Sequence, residues 1–142
     1  MNDEIRLDSI YVVHTSVDDT LAAVTVGDGL ARAMSVPLTL VHFRTVPYQL
    51  AVGAPGDLSP IETEGFVSRL EAEGIDVRVR VFLCRHARRL IPMAFRPRSI
   101  VVVAGRRRWW PTRAGRWRRW LEAAGHFVVF VDTSAPLEQS HA

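Results

Sequence analysis

Five short apolar runs, spaced so that a helix-length segment fits between most of them, constrain this chain more than any other feature. They are residues 9–14 (SIYVVH), 38–43 (LTLVHF), 75–82 (IDVRVRVF), 99–104 (SIVVVA) and 127–131 (FVVFV). Runs of this length, rich in β-branched and aromatic residues and bounded by turn formers, read as strands. The third alternates strictly, with Arg78 and Arg80 on one side, and predicts a half-exposed strand. The fourth is apolar throughout, as a strand buried on both faces must be.

The segments between them carry helical spacing. Residues 20–34 place Leu21, Val24, Asp28 and Ala31 on one face. Ala22, Val26, Gly29 and Ala33 form a neighbouring small-residue face suited to a sheet, and Asp18 or Asp19 is the expected N-cap. Pro37 should stop this helix. Residues 61–73 show Phe66, Leu70 and Glu73 at helical spacing and end at Gly74, while Pro92 must disturb a short helix over 86–95. Residues 115–124 align Trp117, Trp120, Leu121 and Ala124 on one stripe, closed by Gly125. Residues 45–59, rich in Pro and Gly, read as an irregular connection.

Strands alternating with helices imply a parallel sheet with right-handed crossovers, hence an α/β fold with one doubly wound, five-stranded parallel sheet and helices on both faces. At 142 residues, 48% of them apolar, the chain suits a single core. The expected organisation is one domain over 1–135 and a flexible tail over 136–142. The start, MNDEIRLDSI, lacks the pattern of a signal peptide, and no apolar stretch approaches a membrane span. With one cysteine, Cys84, a reducing compartment is the default, and a cytoplasmic location is expected.

Charge is distributed very unevenly. All 18 basic residues are arginine, which excludes chemistry that needs a lysine amine. Residues 1–76 hold 4 arginines against 12 acids, and residues 77–142 hold 14 against 3. No acid occurs from Val77 to Leu121. Such a block attracts phosphates, nucleic acid, anionic lipid or acidic protein. Alternatively, the two halves neutralise each other within the fold or across a dimer.

The first strand–helix–strand unit, SIYVVH to LTLVHF, and the closing unit, SIVVVAG, loop, GRWRRWLEAAGHFVVFVD, resemble the universal stress protein family. That resemblance implies the Rossmann-like form of the fold, with ATP or another adenine nucleotide at the carboxyl ends of the strands. It implies contacts at Thr15 and Val41, and at Gly105, Arg106, Arg108, Gly115 and Arg116 around the loop after the fourth strand. Nucleotide-binding members carry an aspartate after the first strand and a G-x-x-G-x9-G-[ST] loop. Here His14–Thr15 occupies the aspartate position, and Gly105 matches the first glycine. Arg108 and Arg118 stand at the second and third, and Gly115 comes early, followed by Arg116. Two readings stay open. In one, Arg106, Arg107, Arg108, Arg113 and Arg116 grip phosphate with forked guanidinium groups, helped by the helix N-terminus at Gly115. In the other, loss of the glycines means loss of nucleotide binding, and no cofactor is required. The tryptophan pair after the fourth strand also resembles, more faintly, stress-protein-like soluble domains of amino-acid permeases.

Other candidates carry less chemistry. Interleaved Arg and Trp in RRRWWPTRAGRWRRW suits a nucleic-acid or membrane surface. Trp117 and Trp120, however, share a stripe with Leu121 and read as core, whereas Trp109 or Trp110, before Pro111, should be exposed. Cys84 and His86 form a lone pair short of a zinc site, and neither His14 nor His42 has an identifiable catalytic partner. The expectation is a non-catalytic regulatory domain. The alternative is an arginine-rich module for an anionic surface, with nucleic acid the less favoured partner. The last strand, Phe127 to Val131, should lie at a sheet edge and pair with a second copy.

Overall fold

The computed structural model describes residues 8–45, 60–106 and 112–134, with side chains in the second helix described from residue 65 onward. The expectations for Arg107, Arg108, Trp109, Trp110 and the tail over 136–142 therefore lie outside the described residues.

Five strands, β1 (Ile10–Val13), β2 (Leu38–Thr45), β3 (Val77–Cys84), β4 (Ile100–Gly105) and β5 (Phe127–Asp132), form one sheet in the order β3-β2-β1-β4-β5. Every neighbouring pair is parallel, and Ile10 lies in register between Leu38 on β2 and Ile100 on β4. The helices are α1 (Val17–Met34), α2 (Pro60–Ala72), α3 (Ile91–Ala94) and α4 (Arg113–Ala123), with a 3-10 turn at Ala87–Leu90 before α3.

The pleat divides the central strands between two cores. Ile10, Val12, Leu38, Leu40, Val102 and Ala104 face α1 and α2, burying Ala23, Val24, Ala31 and Leu70. Tyr11, Val13, Val41, Val101 and Val103 face α3 and α4, against Ile91, Phe95, Ala114, Trp117 and Leu121. This two-sided burial is why β1 and β4 read as continuous apolar runs.

The structure corrects the start and the rotation of α1. Ser16 is the N-cap: its hydroxyl accepts the Asp19 amide at 3.2 Å. Asp18 and Asp19 instead lie within the first turn, where their charge meets the positive end of the helix dipole. Thr20, Ala23, Val24, Gly27 and Ala31 form the buried stripe, while Val26, Gly29 and Ala33 are exposed. Gly27 sits against the sheet, where a Cβ would lie 3.0 Å from both Leu38 and Val12. Helix α1 ends at Ser35, whose left-handed conformation (φ 56°) closes the helix two residues before Pro37. In the 86–95 segment, Pro92 falls at the start of the α3 turn, where no intrahelical amide is needed, so the segment splits instead of forming one helix.

Charge leans with the layering. Helices α1 and α2 carry Asp18, Asp19, Asp28 and Glu71 beside Arg32 and Arg69, whereas the 3-10 turn and α4 carry Arg88, Arg89, Arg113, Arg116, Arg118 and Arg119 beside Glu122. Asp28–Arg32, within α1, and Asp8–Arg96 form ion pairs, both at 2.9 Å. Asp8–Arg96 joins the acidic to the basic part of the sequence, and it is exposed at both ends, where such pairs contribute little.

Candidate functional site

Open parallel sheets present their carboxyl ends to ligands at the point where the chain reverses direction, here between β1 and β4. In this protein that point is tied shut. The Thr15 amide donates to Thr20 Oγ1 at 3.0 Å, and the Thr15 hydroxyl donates to the Ala104 carbonyl at 3.1 Å. The Thr15 carbonyl accepts from Arg113 Nη1 at 3.1 Å. Helix α4 begins directly above β4. Thr112 caps it by accepting the Gly115 amide at 3.0 Å, and Ala114 rests on Gly105. A Cβ on Gly105 would fall 2.3 Å from that of Ala114, so packing alone already demands glycine there.

This arrangement separates the residues nominated from sequence. Thr15, Val41 and Gly105 are buried in the packing beneath the strand ends. Val41 meets the site only through its carbonyl, which accepts the His14 amide at 2.9 Å. Gly115 is half-buried, with its amide already bound by Thr112, and Arg106 is exposed. Arg113 and Arg116 are the described nominees that line an open cleft.

That cleft, of about 330 Å³, lies on the α4 side of the strand ends, displaced from the switch point toward β2 and β3. It opens there because α3 is a single turn and leaves β2 and β3 thinly covered. One wall carries Arg85 and Arg88, just past β3, and the opposite wall carries Arg113 and Arg116, one turn apart on α4. Phe43, Trp117 and Trp120 add aromatic surface, and His14, Thr45 and His86 complete the rim. Phe43 stacks on Trp117 with centroids 4.8 Å apart, Trp117 meets Trp120 edge-on at 5.2 Å, and the Arg88 guanidinium lies over Trp120 at 5.9 Å. The tryptophan stripe expected from sequence is therefore half core and half site. Trp117 and Leu121 are buried, Trp120 is half-buried, and Ala124 is exposed. Among the described residues no carboxylate lines the cleft, so four guanidinium groups share one concavity.

Sequence alone offers Arg85 and Arg88 only as members of an anion-binding Arg78–Arg119 region, and does not nominate Phe43, because the nucleotide site it nominates follows the glycine pattern of the loop after β4. Their signal was position: each stands at or just past the carboxyl end of a strand in a sheet already read as parallel. Arg85 and Arg88 also belong to the stretch that contains no acid.

Behind the rim, His14 and His42 stack with centroids 4.0 Å apart. Burial, then His14, Arg44 and Arg113, lower the His42 pKa to about 4. Burial also lowers that of His126, whose Nδ1 accepts the Ser99 amide at 3.2 Å. A base with a depressed folded pKa binds fewer protons in the native state than in the unfolded one, so stability must fall as pH falls. For His42 the loss should run from about pH 6.5 down to about 4. Urea titrations at pH 7.5 and 5 should show it, and His42→Gln should flatten the dependence. Burial raises the Cys84 pKa, keeping the thiol protonated, and among the described residues no group of three or more His, Cys, Asp or Glu could hold a metal ion.

The doubly wound sheet with its cleft at the carboxyl ends places the chain among Rossmann-like α/β folds. Its particular form is that of the universal stress proteins. A universal stress protein from Archaeoglobus fulgidus superposes with a TM-score of 0.65 at 18% identity, over 90% of this chain and 95% of that one. A protein of the universal stress protein family from Burkholderia pseudomallei gives 0.51 at 15% identity, over 89% and 96%. A macrolide-efflux protein from Streptococcus pneumoniae gives 0.53 at 16% identity, covering 95% of this chain but 48% of that one. No family profile and no curated protein matches the sequence. At these identities the likeness establishes the fold. Among the described residues, no helix is long and apolar enough to cross a membrane.

Proposed function

We propose that this chain is a non-catalytic regulatory domain of the universal stress protein type, and that it holds a phosphate-bearing ligand, such as ATP or another adenine nucleotide, by arginine side chains. The observation that carries this reading is the pairing of Arg85 and Arg88 across one cleft from Arg113 and Arg116. Guanidinium groups present forked donors that match phosphate oxygens, and they stay charged at any physiological pH. They hold anions by charge and hydrogen bonds, which supports the binding reading. Side chains from the two walls take over the task that a glycine-rich loop performs with backbone amides.

Calorimetric titration with ATP and with pyrophosphate tests this. Binding should weaken as salt rises, and Arg88→Ala and Arg116→Ala should each lower affinity roughly tenfold, the usual effect of removing one charge-assisted hydrogen bond. Absence of binding to the unaltered protein, or full affinity in the double variant, would refute the reading.

The domain is also proposed to dimerise through β5. Among the described residues β5 pairs only with β4, and Phe127 on it is 56% exposed. An apolar edge of this kind invites antiparallel pairing with a second copy. Val129→Pro should halve the mass seen by sedimentation equilibrium, and an unchanged mass would count against pairing there.

A further inference from the structure

The opposite edge of the sheet differs in chemistry from β5. Among the described residues β3 pairs with β2 alone, over all eight of its positions, from Leu38↔Val77 to Thr45↔Cys84. Among the described residues its other side has no strand partner, so the backbone donors and acceptors there point away from the sheet. Val77 and Val79 pack inward against the α1–α2 core, so Arg78 and Arg80 project from the α3–α4 face, and both are exposed. Val81, on the same face as Val77 and Val79, is 40% exposed.

We infer that the β3 edge is a docking strand for an extended acidic peptide segment of a partner protein. The segment would add a sixth strand by main-chain hydrogen bonds, with carboxylates at alternate positions facing Arg78 and Arg80. Three observations select this occupant. A second copy is disfavoured, because pairing β3 with itself sets arginines against arginines. The stretch that runs from Val77 through β3 to Leu121 carries 14 arginines and no acid, a field that draws carboxylates. Finally, the aromatic ring on β3, Phe82, is already engaged by a cation and less open to nucleic-acid bases. On the strand itself, the Arg80 guanidinium lies over the Phe82 ring at 5.2 Å. Backbone pairing with alternate side-chain contacts is the recurring logic of strand addition. This inference stands independently of the cleft, because Arg78 and Arg80 are not among its lining residues.

Fluorescence anisotropy with the labelled hexapeptide Val-Glu-Val-Glu-Val-Glu tests it on the full chain. The peptide should bind, and the double variant Arg78→Glu/Arg80→Glu should lose at least about tenfold in affinity while gaining the lysine counterpart Val-Lys-Val-Lys-Val-Lys. That exchange of partner also shows that the variant is folded. N-methylation of one alternating set of peptide amides should abolish binding and of the other set should not, because only one set faces the edge. Bound peptide should slow hydrogen exchange at alternate amides of β3. Absence of binding, indifference to both methylation patterns, or tighter binding of oligothymidylate than of the peptide would overturn the assignment.

Discussion

Replacing Trp117 with alanine should destabilise the fold by about 3–5 kcal/mol, the range for truncating a large buried aromatic. Trp117 is 5% exposed and belongs to the core that β1, β4 and α4 share. Its ring stacks on Phe43 at 4.8 Å and meets Trp120 edge-on at 5.2 Å, and such pairs add to the burial itself. With α3 reduced to one turn, little else on this side of β2 could move in to fill the space left behind. Urea denaturation followed by circular dichroism measures the loss, since Trp117 is itself one of the fluorophores. Trp117→Phe, which retains an aromatic surface, should lose less. A cost below about 1 kcal/mol for the alanine variant would mean that the residue is not core, and that the cleft wall is far looser than the geometry requires.

Gly105→Ala should cost about 1–3 kcal/mol, as overpacking of a close contact does. The new methyl would sit 2.3 Å from the Ala114 Cβ, closer than two carbons can approach, and 3.7 Å from the Ala114 backbone. Helix α4 would have to lift from β4 and would carry Arg113 and Arg116 with it. The cause can be isolated in a double-mutant cycle. In an Ala114→Gly background, where the opposing methyl is gone, Gly105→Ala should become nearly neutral. If the cost persists there, the glycine serves something other than helix packing. Ligand binding in the double variant separates the roles further: retained affinity would show that Gly105 is not a phosphate contact.

These two positions show how much of the molecule the sequence discloses. The strands were legible because burial on two faces leaves no polar position in β1 and β4, and because the exposed arginines of β3 mark its solvent side. The parallel order follows from strand–helix alternation with little remaining freedom. The start of α1 was misassigned to Asp18 or Asp19 because three good capping residues lie close together. Only the backbone shows that Ser16 is extended and that the helix begins at Val17. The sequence reading of the site relied on glycines. Gly105 matched a phosphate-loop pattern, yet its surroundings satisfy a steric demand that a one-dimensional motif cannot distinguish from ligand contact. Arg85 and Arg88 lie far in sequence from Arg113 and Arg116, and only the order β3-β2-β1-β4-β5, together with a very short α3, brings the two pairs to one cleft. Trp117 and Trp120 were read as core from their stripe with Leu121, and Trp120 proves to be shared between core and cleft.

The central claim is that arginine side chains in the displaced cleft, and not backbone amides above Gly105, hold the phosphate. A crystal structure of the protein soaked with ATP tests it most directly. The account predicts phosphate density between the Arg85–Arg88 wall and the Arg113–Arg116 wall, with the Arg113–Thr15 hydrogen bond and the Ala114–Gly105 contact intact. Density lying over Gly105 with α4 lifted away, or an empty cleft at saturating nucleotide, would contradict it.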